Sequence, residues 1–146
     1  MSCILIIEGE KFDVNGFLEI TEMQPYEKHL KGEKRPFKKT GKQLIYEKSG
    51  CRFELSNADF NDFETQRKDV IKFLTDNFKK LKGISSFGLN ISEVPTIGFG
   101  IENQMADFWC QTEYLQPELL KLAGELNFGI EISLYHPAIE EEDKNE

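Results

Sequence analysis

The chain is poor in the features by which an activity is usually read from sequence. No stretch approaches the roughly 18 apolar residues of a membrane span. The apolar run nearest the start, Ile4 to Ile7, is too short for a signal-peptide core, and no Lys or Arg precedes it. A cytoplasmic protein is expected. Cysteine is scarce and odd in number: Cys3, Cys51 and Cys110, with no CxxC pair. Reduced thiols fit this better than a disulfide framework. His29 and His136 are the only histidines, and no HxxxH spacing joins them to a metal site. No metal and no cofactor are expected. A Cys110–His136 nucleophile pair is formally available but would need a lowered thiol pKa; structural thiols are the plainer reading. Gly98-Phe99-Gly100 lacks the third glycine, the lysine and the following helix of a phosphate loop, so it reads as tight strand packing or a bulge. GxSxG, HExxH and DxDxDG patterns are missing. The chain is therefore not expected to be an enzyme.

What is present is core material and charge. Hydrophobic residues make up 39% of the 146, with 12 Phe, and charged residues 30%. A chain of this size buries roughly 68–70% of its unfolded surface, enough for one core without staples. Disordered, collagen-like and multidomain chains are excluded. The net charge of −8 is unevenly spread. Residues 28–42 hold seven basic side chains (Lys28, Lys31, Lys34, Arg35, Lys38, Lys39, Lys42) against Glu33. That segment is +6, which leaves −14 for the remainder. An acidic body disfavours general nucleic-acid binding and suits a basic protein partner. The basic segment is the exception. With Tyr26, Phe37 and Tyr46 nearby it has the charge and stacking groups to grip a single strand, or it is a solvated loop folded back on the acidic body.

Hydrophobic periodicity predicts the elements. Cys3–Ile7 reads as a buried strand, and Asp13 caps a short helix carrying Val14, Phe17 and Leu18. Residues 24–42, with Pro25, Gly32, Pro36 and Gly41, read as an irregular excursion. Gln43–Glu47 and Cys51–Leu55 flank Lys48-Ser49-Gly50 as a hairpin. Phe60, Phe63, Val70, Ile71, Leu74, Phe78 and Leu81 recur at helical spacing, predicting a helix over about 60–82. Asn61 with Glu64 is its start and Gly83 its left-handed stop. Strands follow at Phe87–Ile91, at Ile97–Ile101 and, more weakly, at 105–111. Pro117 opens a second helix over about 117–127, ended by Gly129. Ile130, Ile132 and Leu134 alternate in a last half-buried strand. The expected fold is α+β: a mixed or mainly antiparallel sheet of about five to seven strands, with the two main helices on one face. Residues 1–139 form one domain, and 140–146 a flexible acidic tail.

The acidic and aromatic stretch around Glu102, Asp107, Trp109 and Glu113 alternates as a strand would. Trp109 reads first as a core side chain. On an exposed face it would instead be an interface anchor among acids that attract a basic partner. Glu131, on the last strand, joins these as a candidate partner-binding residue.

Several segments together resemble a known group. They are Pro117-Glu118-Leu119-Leu120-Lys121-Leu122-Ala123-Gly124-Glu125-Leu126 with Ile130–Tyr135, Cys51–Phe60 leading through Gln66, and Phe99-Gly100-Ile101. Over most of its length the chain is similar to small uncharacterised bacterial proteins. Some of these are regarded as immunity proteins of polymorphic toxin and contact-dependent inhibition systems. A second Pro usual before the helix is Gln116 here. The resemblance carries no catalytic residues with it. It implies a non-catalytic protein that neutralises a basic toxin domain by stoichiometric occlusion of its active site. The alternatives are a small-molecule or peptide-binding module and a nucleic-acid binder using residues 28–42. A monomer or a homodimer through a sheet edge is compatible with each.

Overall fold

The computed structural model describes residues 1–39 and 41–137. The expected acidic tail at 140–146 lies outside them. Five strands form the main sheet: β1 (Cys3–Gly9), β2 (Glu27–His29), β5 (Ser49–Ser56), β6 (Thr96–Glu102) and β7 (Gly129–Tyr135). Their order is β2-β5-β1-β6-β7. β1 is antiparallel to both β5 and β6, and β6 is parallel to β7. A separate two-stranded ribbon pairs β3 (Lys34–Lys39) with β4 (Lys42–Ile45). Helices α1 (Val14–Thr21), α2 (Phe63–Asp76), α3 (Phe78–Lys82) and α4 (Pro117–Leu126) complete the fold. The α+β architecture and mixed sheet match the expectation.

Register divides the sheet into two faces. Cys3, Leu5 and Ile7 on β1 align with Phe53 and Cys51 on β5 and with Phe99 and Ile97 on β6. All seven are buried beneath the helices. Phe63 of α2 meets Phe99 edge-on at 5.1 Å, and Phe73 lies 6.2 Å from Phe53. The parallel β6–β7 pair needs a crossover, which α4 supplies. Gln66 is fully buried between α2 and the sheet. Its amide donates to the carbonyls of Asp59 (3.1 Å) and Gly100 (3.0 Å), tying the helix start to β6. Asp13 caps α1 as expected, accepting from Gly16 N–H at 3.0 Å.

Several local expectations are corrected. The long helix starts from Asp62, not Asn61, and breaks at Asn77. There the Asn77 amide donates to the Phe73 carbonyl (2.9 Å), competing with the helical ladder. Gly83 has a φ of −86°, and the left-handed turn falls at Gly88 instead. Residues 87–91 are not a strand: Ile84–Phe87 is a 3₁₀ turn, and Asp13 N–H donates to Phe87 O at 2.7 Å. That bond holds the segment against α1 rather than in the sheet. The basic excursion contains β2 and β3. β4 pairs with β3 rather than with β5, because β5 already fills both its edges with β1 and β2. α4 ends on Asn127 at φ 57°, two residues before Gly129. Residues 105–111 form a loop, for reasons given below.

Candidate functional site

The second face of the sheet carries no helix. It presents Ile4, Ile6 and Glu8 from β1, Arg52 and Glu54 from β5, and Glu131, Ser133 and Tyr135 from β7. Gly98 and Gly100 leave its middle low. A Cβ on Gly100 would stand 2.7 Å from the Phe60 ring and 3.1 Å from Tyr135. Those two rings meet edge-on at 5.2 Å and wall one end. A hollow of about 170 Å³ lies there, with Glu131 on its rim.

The β3–β4 ribbon covers the other end. Its backbone is tied back by Tyr46 N–H to Glu33 O (2.9 Å) and Gly32 N–H to Tyr46 O (2.8 Å). Tyr46 stacks on His29 at 3.9 Å, and the Arg35 guanidinium sits 5.1 Å above Tyr46. Gly50 makes this possible, since a Cβ there would lie 3.0 Å from His29 Cε1 and 2.7 Å from Glu8 Cγ. Beneath Tyr46, two carboxylates each bridge His29 and Arg52. Glu8 lies 3.8 Å from His29 Nε2 and 3.7 Å from Arg52. Glu27 lies 3.9 Å from His29 Nδ1 and 3.6 Å from Arg52. All four separations are too long for hydrogen bonds, and the two to Arg52 are ion-pair distances. Among the described residues, buried His29 Nδ1 and Arg52 Nε consequently have no hydrogen-bond partner. A cavity of about 390 Å³ opens beside Arg52, lined also by Glu8, Glu27, Arg35, Leu44 and Tyr46. The basic segment is thus partly folded back onto acids, with Lys31 also 3.1 Å from Glu10.

The loop from Asn103 to Gln116 is the other candidate region. Its backbone is held by side chains of its own rather than by a sheet partner. Gln111 accepts from Gln104 N–H (2.8 Å) and donates to Glu102 O (2.9 Å) and to the Glu113 carboxylate (3.0 Å). Asn103 N–H donates to Tyr135 O (2.7 Å), and Arg67 of α2 donates to Tyr114 O. Pinned at both ends, the loop leaves Met105, Phe108, Trp109 and Tyr114 in solvent, Trp109 at 102% exposure. The core reading of Trp109 is corrected: no helix or strand places it over an apolar layer.

The candidate partner residues divide accordingly. Asp107, Trp109 and Glu113 lie on the loop, with Glu102 at its root on β6. Glu131 faces outward on the helix-free side of the sheet. What the sequence did not point to is the His29–Glu8–Arg52–Glu27 cluster, since its members come from three strands. The thiols also divide. Burial pushes Cys3 and Cys51 up to about 12. Cys110 is exposed, with Thr112 Oγ1 3.5 Å from its sulfur.

No helix among the described residues is long and apolar enough to cross a membrane. No curated protein and no solved structure matches the chain. One family model does, over residues 1–137, the family described as Domain of unknown function (DUF4279). Covering nearly the whole chain, that match makes this protein a member of the DUF4279 family.

Proposed function

We propose that the protein is a non-catalytic binding protein that docks a basic protein partner on the loop between β6 and α4. The observation that carries this reading is Trp109, wholly in solvent on a loop whose backbone is fastened at both ends. Trp is enriched among the residues that dominate binding energy. A fastened loop loses little entropy on docking. Asp107 and Glu113 flank Trp109, and residues 103–116 contain no Lys or Arg. That charge favours a basic surface and a fast encounter with it. The resemblance to bacterial immunity proteins supplies the finer reading. The partner is a toxin domain, and binding occludes its active site stoichiometrically inside the cell.

Co-purification from native host lysate at low and high salt tests this. The expected result is one stoichiometric basic partner, released by salt, whose toxicity on expression is relieved by this protein. Trp109→Ala should weaken the complex by roughly 30-fold, the equivalent of about 2 kcal/mol at a hot spot. Undiminished binding by that variant, or substrate turnover by the isolated protein, overturns the reading.

A second reading, a small-molecule or peptide-binding module, is favoured by one observation. Arg52, whose buried Nε has no hydrogen-bond partner among the described residues, lines a cavity of about 390 Å³. That volume falls within the usual range for ligand pockets. A metabolite retained in native mass spectrometry, and lost in Arg52→Met, would move the assignment there.

A further inference from the structure

The two edges of the main sheet are built differently. β2 is three residues long and carries Lys28, with Lys31 just beyond it. Short length and lysine are standard protections against edge-to-edge pairing. β7 has seven residues, Gly-Ile-Glu-Ile-Ser-Leu-Tyr, with no Pro, Lys or Arg, and its register against β6 is unbroken. Ile132 is 38% and Leu134 59% exposed, although both stand on the helix-bearing side of the sheet.

The direction of the β7 backbone groups follows from two hydrogen bonds. Gly129 N–H donates to Pro95 O (2.9 Å), and Asn103 N–H donates to Tyr135 O (2.7 Å). Both lie on the β6 side. A residue's N–H and C=O point to the same side of a strand, and successive residues alternate. Ile130, Ile132 and Leu134 therefore aim their N–H and C=O groups away from the sheet. Among the described residues, nothing pairs with them.

We propose that β7 pairs antiparallel with β7 of a second copy of this chain, about a two-fold axis at Ile132, joining the two sheets into one. This register is selected by hydrogen bonding and charge together. Centred on Ile132, it sets Ile130 opposite Leu134 and uses every outward N–H and C=O of Ile130, Ile132 and Leu134. Each Glu131 then faces a Ser133. A register centred on Glu131 would set two carboxylates directly opposite each other, which is unfavourable. One centred on Ser133 leaves the groups of Ile130 unpaired. Ile132 meets its counterpart across the axis and Leu134 packs against Ile130 of the second copy, removing the exposed apolar strip from water. The contact is isologous and closed, so it stops at a dimer. It does not rest on the partner-binding reading of Trp109.

Sedimentation velocity of the full chain over a range of concentrations should show a dimer that dissociates on dilution. Leu134→Lys replaces an exposed side chain, so circular dichroism should stay native. Dimerisation should weaken by roughly a hundredfold, since apolar burial is lost on both sides of the axis. Register is read by cross-linking in a Cys110→Ser background. Ile132→Cys should oxidise to a symmetric disulfide, because opposed Cα atoms in a hydrogen-bonded pair lie about 5.5 Å apart. Glu131→Cys should not. A protein monomeric at the highest concentration overturns the proposal. So does a monomer whose Ile130, Ile132 and Leu134 amides resist exchange, which would mean that the chain's own residues beyond Pro137 cover the edge. A dimer that survives Leu134→Lys, or that cross-links through Glu131→Cys instead, overturns this interface.

Discussion

The two faces of one sheet are made from alternate residues of the same strands, yet they follow opposite rules. Beneath the helices stand Leu5, Ile7, Phe53, Ile97 and Phe99, each almost wholly buried. On the reverse stand Glu8, Arg52, Glu54 and Glu131 among low glycines, with one short ribbon laid across. The first face is held by apolar area, which needs no precise partner. The second is held by the Arg52 ion pairs to Glu27 and Glu8 at 3.6 and 3.7 Å and by one aromatic stack. Stability is therefore concentrated on one side, and the other is free to vary in shape and charge without unfolding the domain. A surface that can vary is where specificity for a partner or ligand is most easily built.

The largest effect expected from this contrast is at Phe99. Its ring packs on Phe63 at the centre of the helix side. Phe99→Ala should cost about 3–5 kcal/mol, the sum of lost burial and the cavity left behind. Urea unfolding would register it as a lower midpoint with an unchanged slope. A much smaller effect at Arg52 sharpens the comparison. Arg52 makes two long ion pairs with partners that are themselves about a third exposed, and its buried Nε is unpartnered. Arg52→Met should cost under about 1 kcal/mol, because such pairs are screened and removing the unpaired Nε relieves a desolvation cost. A loss at Arg52 rivalling that at Phe99 would break the comparison and make the charged cluster a structural brace.

The same contrast explains what was legible in the sequence. Alternation in Cys51–Leu55 and Ile97–Ile101 marks strands buried on one face, and both are β-strands in the fold. The 3.6-residue recurrence from Phe63 to Leu74 marks α2, and Pro117 marks the start of α4. These signals come from apolar burial, which leaves a period. Polar devices leave none. Asn77 breaks a helix whose apolar spacing runs on through Leu81. Gln111 builds a loop where Met105, Phe108 and Trp109 imitate a strand. In the short β2 only His29 is buried, and no side chain of β4 is, so Pro25, Gly32, Pro36 and Gly41 are the dominant signal in 24–42. The site residues fare likewise. Glu102, Asp107, Trp109 and Glu113 were found as a composition, but their arrangement on a fastened loop rests on hydrogen bonds to Gln111 and Arg67. Glu8, Glu27, His29 and Arg52 come together only through strand order.

The smallest expected effect is a rate rather than a stability. Cys3 and Cys51 stand on the helix side, opposite Phe99 and Ile7 respectively, and burial holds both thiols near 12, against an ordinary value of 9.0. At pH about 8 a thiol reagent meets almost no thiolate at either, and no path to the sulfur. Cys110 is exposed on the loop and should react alone, with no change in unfolding midpoint. Cys3 and Cys51 should follow only at the rate at which the whole domain opens, because neither borders the helix-free face. Mass spectrometry of the labelled protein over time reads this directly. If Cys51 were labelled ahead of Cys3, the helix side would open first near β5 and β2, where the Glu8–Arg52–Glu27 ion pairs lie on the reverse. The two faces would then be coupled through that edge, and removing those ion pairs with Arg52→Met should raise the Cys51 rate while leaving Cys3 unchanged.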